Sequence, residues 1–275
     1  MREIVLHLLI TGMALLFSAA LFFAAYRFGY FVELKSRRGK SGWIALFASF
    51  GIFLSIQLFF IPIALGGIQR LFSDFPLDTR LKGWVNLASI FAVGFAVYAY
   101  YFCRKKQLSW FSSEGALKSV SLGIFSWILA FPMIVAITQL LTVVLSDWFG
   151  FDLTEQLAVR QVKSVLPYPF LLTATVLTVV VVVPMIEELL FRGFLQEALI
   201  SWMKPWRAIV VTSVVFALFH FSISQGINNL LILSSLFLLS CMLGFLKERQ
   251  GSLWAPVGLH ATFNAISLVQ ILAMQ

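Results

Sequence analysis

The feature that most constrains this chain is its division into long apolar runs that hold no Asp, Glu, Lys or Arg. These runs cover 4–26, 41–69, 83–103, 119–146, 164–186, 208–246 and 250–275. The hydrocarbon core of a bilayer takes about 20 residues of apolar helix to cross, and every run is long enough for at least one crossing. The stretch 208–246 is too long for one helix. Ser222, Ser224, Gln225 and Gly226 interrupt it, which predicts two spans, 206–222 and 227–246. The expected fold is therefore all-α, a polytopic transmembrane bundle of about eight helices. Composition agrees: 60% of the 275 residues are hydrophobic and only 12% charged, about half the charged share of a soluble domain. A mean hydropathy of +0.94 makes lipid the natural solvent. The run 4–26 reads as a span rather than a signal peptide. It is longer than a signal core, and its basic start is Arg2 alone, offset by Glu3.

The basic residues set orientation. With the N-terminus outside, the inner side holds Arg27, Lys35, Arg37, Arg38, Lys40, Arg104, Lys105, Lys106, Lys118, Arg192, Lys204, Arg207, Lys247 and Arg249. The outer side holds Arg2, Arg70, Arg80, Lys82, Arg160 and Lys163. Fourteen against six predicts both termini outside and the basic loops in the cytoplasm. The net charge of +8 is spread over these short loops, not gathered on a patch, which argues against a nucleic-acid partner. Cys103 and Cys241 form no CxxC pair and read as two membrane-embedded thiols. The segment 147–167 is polar and mixed, and suits the outer interface. Residues 1–146 read as a four-helix membrane region without motifs, and 147–275 as the part that carries chemistry.

An ionisable side chain at mid-helix depth costs about 3 kcal/mol on insertion scales, so a buried group of them calls for a reason. The first group is Pro184-Met185-Ile186-Glu187-Glu188-Leu189-Leu190-Phe191-Arg192-Gly193. The helix that begins near Tyr168 is expected to run to about Leu199, which sets the glutamates roughly 15 Å below the inner surface. Glu188 and Arg192 are four apart and share a face, so they can pair. Glu187 lies about 100° round the helix and points elsewhere. With its neighbour's charge answered by Arg192, Glu187 is suited to proton transfer. The second group is Phe216-Ala217-Leu218-Phe219-His220, with His220 inside an apolar helix and Phe216 one turn away as packing. The third is His260-Ala261-Thr262-Phe263-Asn264, whose spacing stacks an imidazole and an amide on one face.

Separately, each group has a bland reading: an ion pair at a helix end, a hydrogen-bonded core histidine, and a polar contact between helices. Together they lie at similar depth on successive helices. A glutamate with two histidines suits the activation of water. Glu187, His220 and His260 also match a two-histidine, one-carboxylate set for a divalent metal such as zinc. No Asp follows Asp152, and neither GxSxG nor HExxH is present, so a serine triad and the zincin signature are both excluded.

Glu187-Glu188-xxx-Arg192, Phe216-xxx-His220 and His260-xxx-Asn264, in this order, resemble the three signatures of the CPBP family. That family comprises the CAAX prenyl endopeptidases and their bacterial relatives linked to bacteriocin processing and self-immunity. The resemblance covers about 164–275. It implies an intramembrane endopeptidase that cuts a membrane-associated peptide or protein on the cytoplasmic side of the bilayer; multi-pass insertion with basic inner loops fits a bacterial plasma membrane, with an organelle membrane as the alternative. It implies Glu187 as the group that activates water with His220 as partner, His260 and Asn264 as donors to the oxyanion, and Glu188 and Arg192 as the residues that hold the site in shape. Both a metal-dependent and a metal-free glutamate mechanism are argued for the family. Two other readings compete. One is a non-catalytic scaffold or immunity protein of the same fold, against which the intact Glu187, His220 and His260 argue. The other is a proton-coupled transporter, against which the lack of an internal repeat argues.

Overall fold

The computed structural model describes residues 2–35, 37, 39–71, 78–104, 110–111 and 115–273. Among these residues there is no strand, and they form nine helices. They are α1 Arg2–Arg27, α2 Trp43–Leu71, α3 Thr79–Cys103, α4 Ala116–Trp148, α5 Leu157–Val165, α6 Pro169–Ile200, α7 Pro205–Leu218, α8 Asn229–Gln250 and α9 Trp254–Ala273. Local chemistry sets several of the starts. The Asp78 carboxylate accepts from Leu81 N at 2.7 Å and caps α3. Pro169 and Pro205 open α6 and α7, where a missing N–H costs nothing.

Seven of the nine are long and apolar enough to cross a membrane, and the protein is an integral multi-pass membrane protein. The side chains turned outward are themselves apolar. Phe95 is 79% exposed and Phe170 87%, as expected where lipid replaces water. The expected span 206–222 differs in helix length. Where 206–222 was to cross, α7 has 14 residues and a length of about 21 Å, short of a core of about 30 Å. The polar cluster after it ends the helix sooner than its length in sequence suggests. The short α5 buries Val162 and Val165 and exposes Arg160 and Lys163, the pattern of a helix lying on a surface.

Polar contacts among loops and helix ends order the two faces of the bundle. On one face Arg37 reaches Glu197 and Glu248, and Leu253 N donates to Trp110 O at 3.0 Å. On the other, His7 lies 3.2 Å from Asp147, and Asn228 Nδ2 donates to Thr154 Oγ1 at 2.8 Å. Arg38, Asp74, Lys105 and Lys106 lie outside the described residues. Lys247 sits in the last turn of α8, 1% exposed and paired with Glu197.

One core gathers Val97, Trp110, Leu189, Phe191, Phe194 and Phe216 between α2, α3, α6 and α7. A second gathers Ala130, Ile134, Leu239, Leu243, Ala255 and Leu259 between α4, α8 and α9. In the second, α4 and α9 touch through reciprocal glycines. A Cβ on Gly123 would run into the backbone of Ala255, and one on Gly258 would meet Val120 O. Small residues at such a crossing let dispersion forces act at short range, the main attraction left between helices in lipid.

Candidate active site

The site begins in the winding of α6. Thr178–Val182 and Leu189–Leu195 are widened π-helical turns, and Val183–Glu188 between them is regular α-helix. Such turns re-aim the residues that follow, and they recur at functional sites. Glu187 and Glu188 therefore sit on a short regular segment between two widened ones.

Glu188 and Arg192 are both fully buried and meet at 3.0 Å, Nη1 donating to Oε1. Arg192 Nη2 donates to Ser240 Oγ at 2.6 Å and to Ser240 O at 3.3 Å. Its guanidinium carbon lies 4.5 Å from the centroid of the Phe216 ring. A charged pair taken out of water is tolerated only with further hydrogen bonds, and α8 and α7 supply these contacts. The same Glu188 Oε1 accepts from His260 Nδ1 at 2.8 Å.

Glu187 faces away from this pair, as the helical offset requires. Its Oε1 is 4.0 Å from His220 Nε2, and its Oε2 is 3.7 Å from His260 Nε2. His220 Nδ1 lies 2.9 Å from Phe216 O, a carbonyl that only accepts, so that nitrogen carries the hydrogen. His260 Nδ1 does the same toward Glu188. In the neutral rings both Nε2 atoms are then acceptors, and both face the Glu187 carboxylate. Four acceptor atoms converge at separations too long for direct hydrogen bonds. A small donor such as water matches the chemistry of this set. Glu187 is 20% exposed and His220 34%, whereas His260 is 4%, so the cluster opens on the His220 side.

His220 is not inside a helix, as expected from sequence, but in the turn after α7 ends at Leu218. The loop that follows is held by Asn229. Its Oδ1 accepts from Ser222 N at 3.1 Å, and its Nδ2 donates to Ser222 O at 2.8 Å and to Gly226 O at 2.9 Å. Gly226 adopts φ +50°, a conformation natural to glycine. Irregular backbone within a membrane needs such internal partners.

Asn264 lies one turn past His260, and its Nδ2 donates to Val179 O at 2.9 Å. Of the six residues singled out in the sequence, Glu187, Glu188, Arg192, His220 and His260 form one connected cluster. Asn264 reaches α6 eight residues before Glu187. Four contributors escaped the sequence reading: Ser240, Asn229, Gln196 and Tyr98, whose Oη donates to Met185 O at 3.2 Å. The signal for two of them was present. Glu188, Arg192 and Gln196 repeat at four residues on α6, and Ser240, Gly244 and Glu248 repeat at four on α8. The second repeat meets the first, with Gln196 Nε2 donating to Gly244 O and to Glu248 Oε1.

The metal set Glu187, His220 and His260 is not assembled as one. Among the described residues no three His, Cys, Asp or Glu side chains are grouped to hold an ion. Separations of 3.7 and 4.0 Å exceed the roughly 3.3 Å between two ligands of a tetrahedral zinc.

At the basic face, α6 and α8 end in a second buried cluster. Arg37 donates to both oxygens of Glu197 and both of Glu248, at 2.8–3.0 Å. Lys247 bonds Glu197 and Glu248. Burial weighs against the charge of Arg37, but the hydrogen bonds and charges of the two carboxylates outweigh it and hold the guanidinium above its ordinary value.

Residues 169–266, a stretch that holds all six site residues, match the family model of the Type II CAAX prenyl endopeptidase Rce1-like proteins. An Escherichia coli protein described as "Uncharacterized 24.3 kDa protein" is 33% identical over 98 residues, which are 34% of this chain and 43% of that protein. The chain thus spans under half the length of that relative. No solved structure matches. What the chain shares with the Type II CAAX prenyl endopeptidase Rce1-like proteins is thus the stretch from α6 to α9.

Proposed function

We propose that this protein is an intramembrane endopeptidase that hydrolyses a peptide bond of a membrane-associated protein or peptide, with Glu187 as the base. The observation that carries this reading is the convergence of the Glu187 carboxylate with Nε2 of His220 and of His260. A water held there gives one hydrogen to Glu187 and the other to a histidine nitrogen, which leaves its oxygen free to attack a carbonyl. Glu187 takes the proton as the water attacks and returns it to the leaving amine. Glu188, anchored by Arg192, fixes the His260 tautomer and ring, as a carboxylate behind a catalytic imidazole does. The partial exposure of Glu187 and His220 gives the substrate its approach, toward the cytoplasmic side of a bacterial plasma membrane by the charge rule.

The test is proteolysis of candidate membrane peptides by purified protein in lipid, wild type against Glu187→Ala, with and without a chelator. Cleavage by the wild type alone, unchanged by chelator, is expected. Equal cleavage by folded Glu187→Ala refutes the mechanism, and loss on chelation refutes its metal-free form.

A further inference from the structure

The widened turn of α6 just before the glutamates leaves a backbone atom without its helical partner. Across Thr178–Val182 the ladder reaches back five residues, with Val183 N–H donating to Thr178 O. One step on, the same reach would bring residue 184 to Val179 O. Residue 184 is proline and has no N–H to give. A carbonyl left alone at membrane depth is costly. Val179 O instead accepts from Asn264 Nδ2 at 2.9 Å, across from α9.

We propose that Asn264 is a positioning residue: its amide replaces the N–H that Pro184 lacks, and so fixes the turn that aims Glu187 at His220 and His260. It acts through the backbone of α6 and does not touch the reacting atoms. Pro184 stands three residues before Glu187, so slack in this turn is passed directly to the carboxylate. An oxyanion role for Asn264 would fall to the second hydrogen of Nδ2. The contact seen in the structure is with α6.

The consequence of this inference for rate rests on Glu187 being the base, but its consequence for stability does not. The experiment is a double-mutant cycle of wild type, Pro184→Ala, Asn264→Leu and the pair, on the full chain. Thermal unfolding in detergent is measured first. Asn264→Leu lowers Tm by about 2–4 °C, the shift of one lost interaction in a protein of this size. In the pair, the alanine N–H at 184 supplies Val179 O, and Tm returns to that of Pro184→Ala. Turnover of a cleaved membrane peptide is measured next. Asn264→Leu loses roughly 10–100-fold in kcat with KM little changed, and the pair recovers most of the loss. An amide that meets the oxyanion predicts no rescue by Pro184→Ala in either measurement, and that result overturns the proposal. So does an Asn264→Leu protein with unchanged Tm. If Asn264→Leu does not fold, recovery of folded protein in the pair supports the proposal and failure of both overturns it. If the wild type cleaves nothing, the peptidase reading fails while the Tm cycle still decides the role of Asn264.

Discussion

Both site histidines have their Nδ1 hydrogens engaged elsewhere, His220 on Phe216 O and His260 on Glu188, and this fixes what each can do for Glu187. In the proposed reaction Glu187→Ala removes the base, and His220→Ala removes one of the two nitrogens that hold the water. Each is expected to lower turnover at least 10²–10⁴-fold at equal folded amount, measured with a cleaved membrane peptide. Glu188→Gln has a different effect. It leaves fully buried Arg192 without its counter-charge, which costs on the order of 3–5 kcal/mol in soluble proteins. Low yield of folded protein and a reduced Tm are expected, and normal yield with full activity would contradict the pairing. Spacing made the Glu188–Arg192 pair legible in the sequence, because four residues on one helix decide a shared face. That His260 would meet Glu188 through Nδ1 was not legible. Spacing within α9 says nothing of how α9 is rotated against α6. The repeat that holds Ser240 was legible on α8, but its pairing with Arg192 on another helix was not.

At the scale of elements, the helices were legible from their apolar runs, and α6 runs to Ile200 close to the expected Leu199. The exception was α7, whose end is set by the polar loop and the Asn229 bonds rather than by hydropathy. The two widened turns in α6 were also hidden, since nothing in a run of valines announces a change of winding. The Arg37 cluster ties the loop before α2 to the ends of α6 and α8, and its loss should loosen the far end of the helix that carries Glu187. Arg37→Ala removes four charge-assisted hydrogen bonds to Glu197 and Glu248. A net loss on the order of 1.5–3 kcal/mol is expected, read as a lower Tm, and an unchanged Tm would show that Lys247 alone suffices. At the α4–α9 crossing, Gly258→Leu places a side chain against Val120 O and should separate the two helices. Loss of folded yield is the expected result, with Ala261→Leu on the same helix as the control.

For the whole molecule, orientation is the property the fold cannot supply, because a helix bundle is compatible with either sense in the membrane. The charge rule decides it. Single cysteines at exposed Lys204 and Ser164, in a protein with Cys103 and Cys241 replaced by alanine, should label from opposite sides in intact cells, with Ser164 reached from outside. Labelling of both from one side would contradict the alternation. The short α7 has a further effect on the surroundings. A helix of 14 residues beside neighbours of 20 or more leaves the bilayer locally too thick for the protein, so lipid must thin or water must enter above His220. Hydrophobic mismatch of this kind costs fractions of a kcal/mol per Å. Acyl-chain length then becomes a control on the proposed peptidase: in vesicles of long-chain lipid the dent over His220 is costlier to maintain, and turnover should fall relative to short-chain lipid while the unfolding of the isolated protein in detergent stays the same.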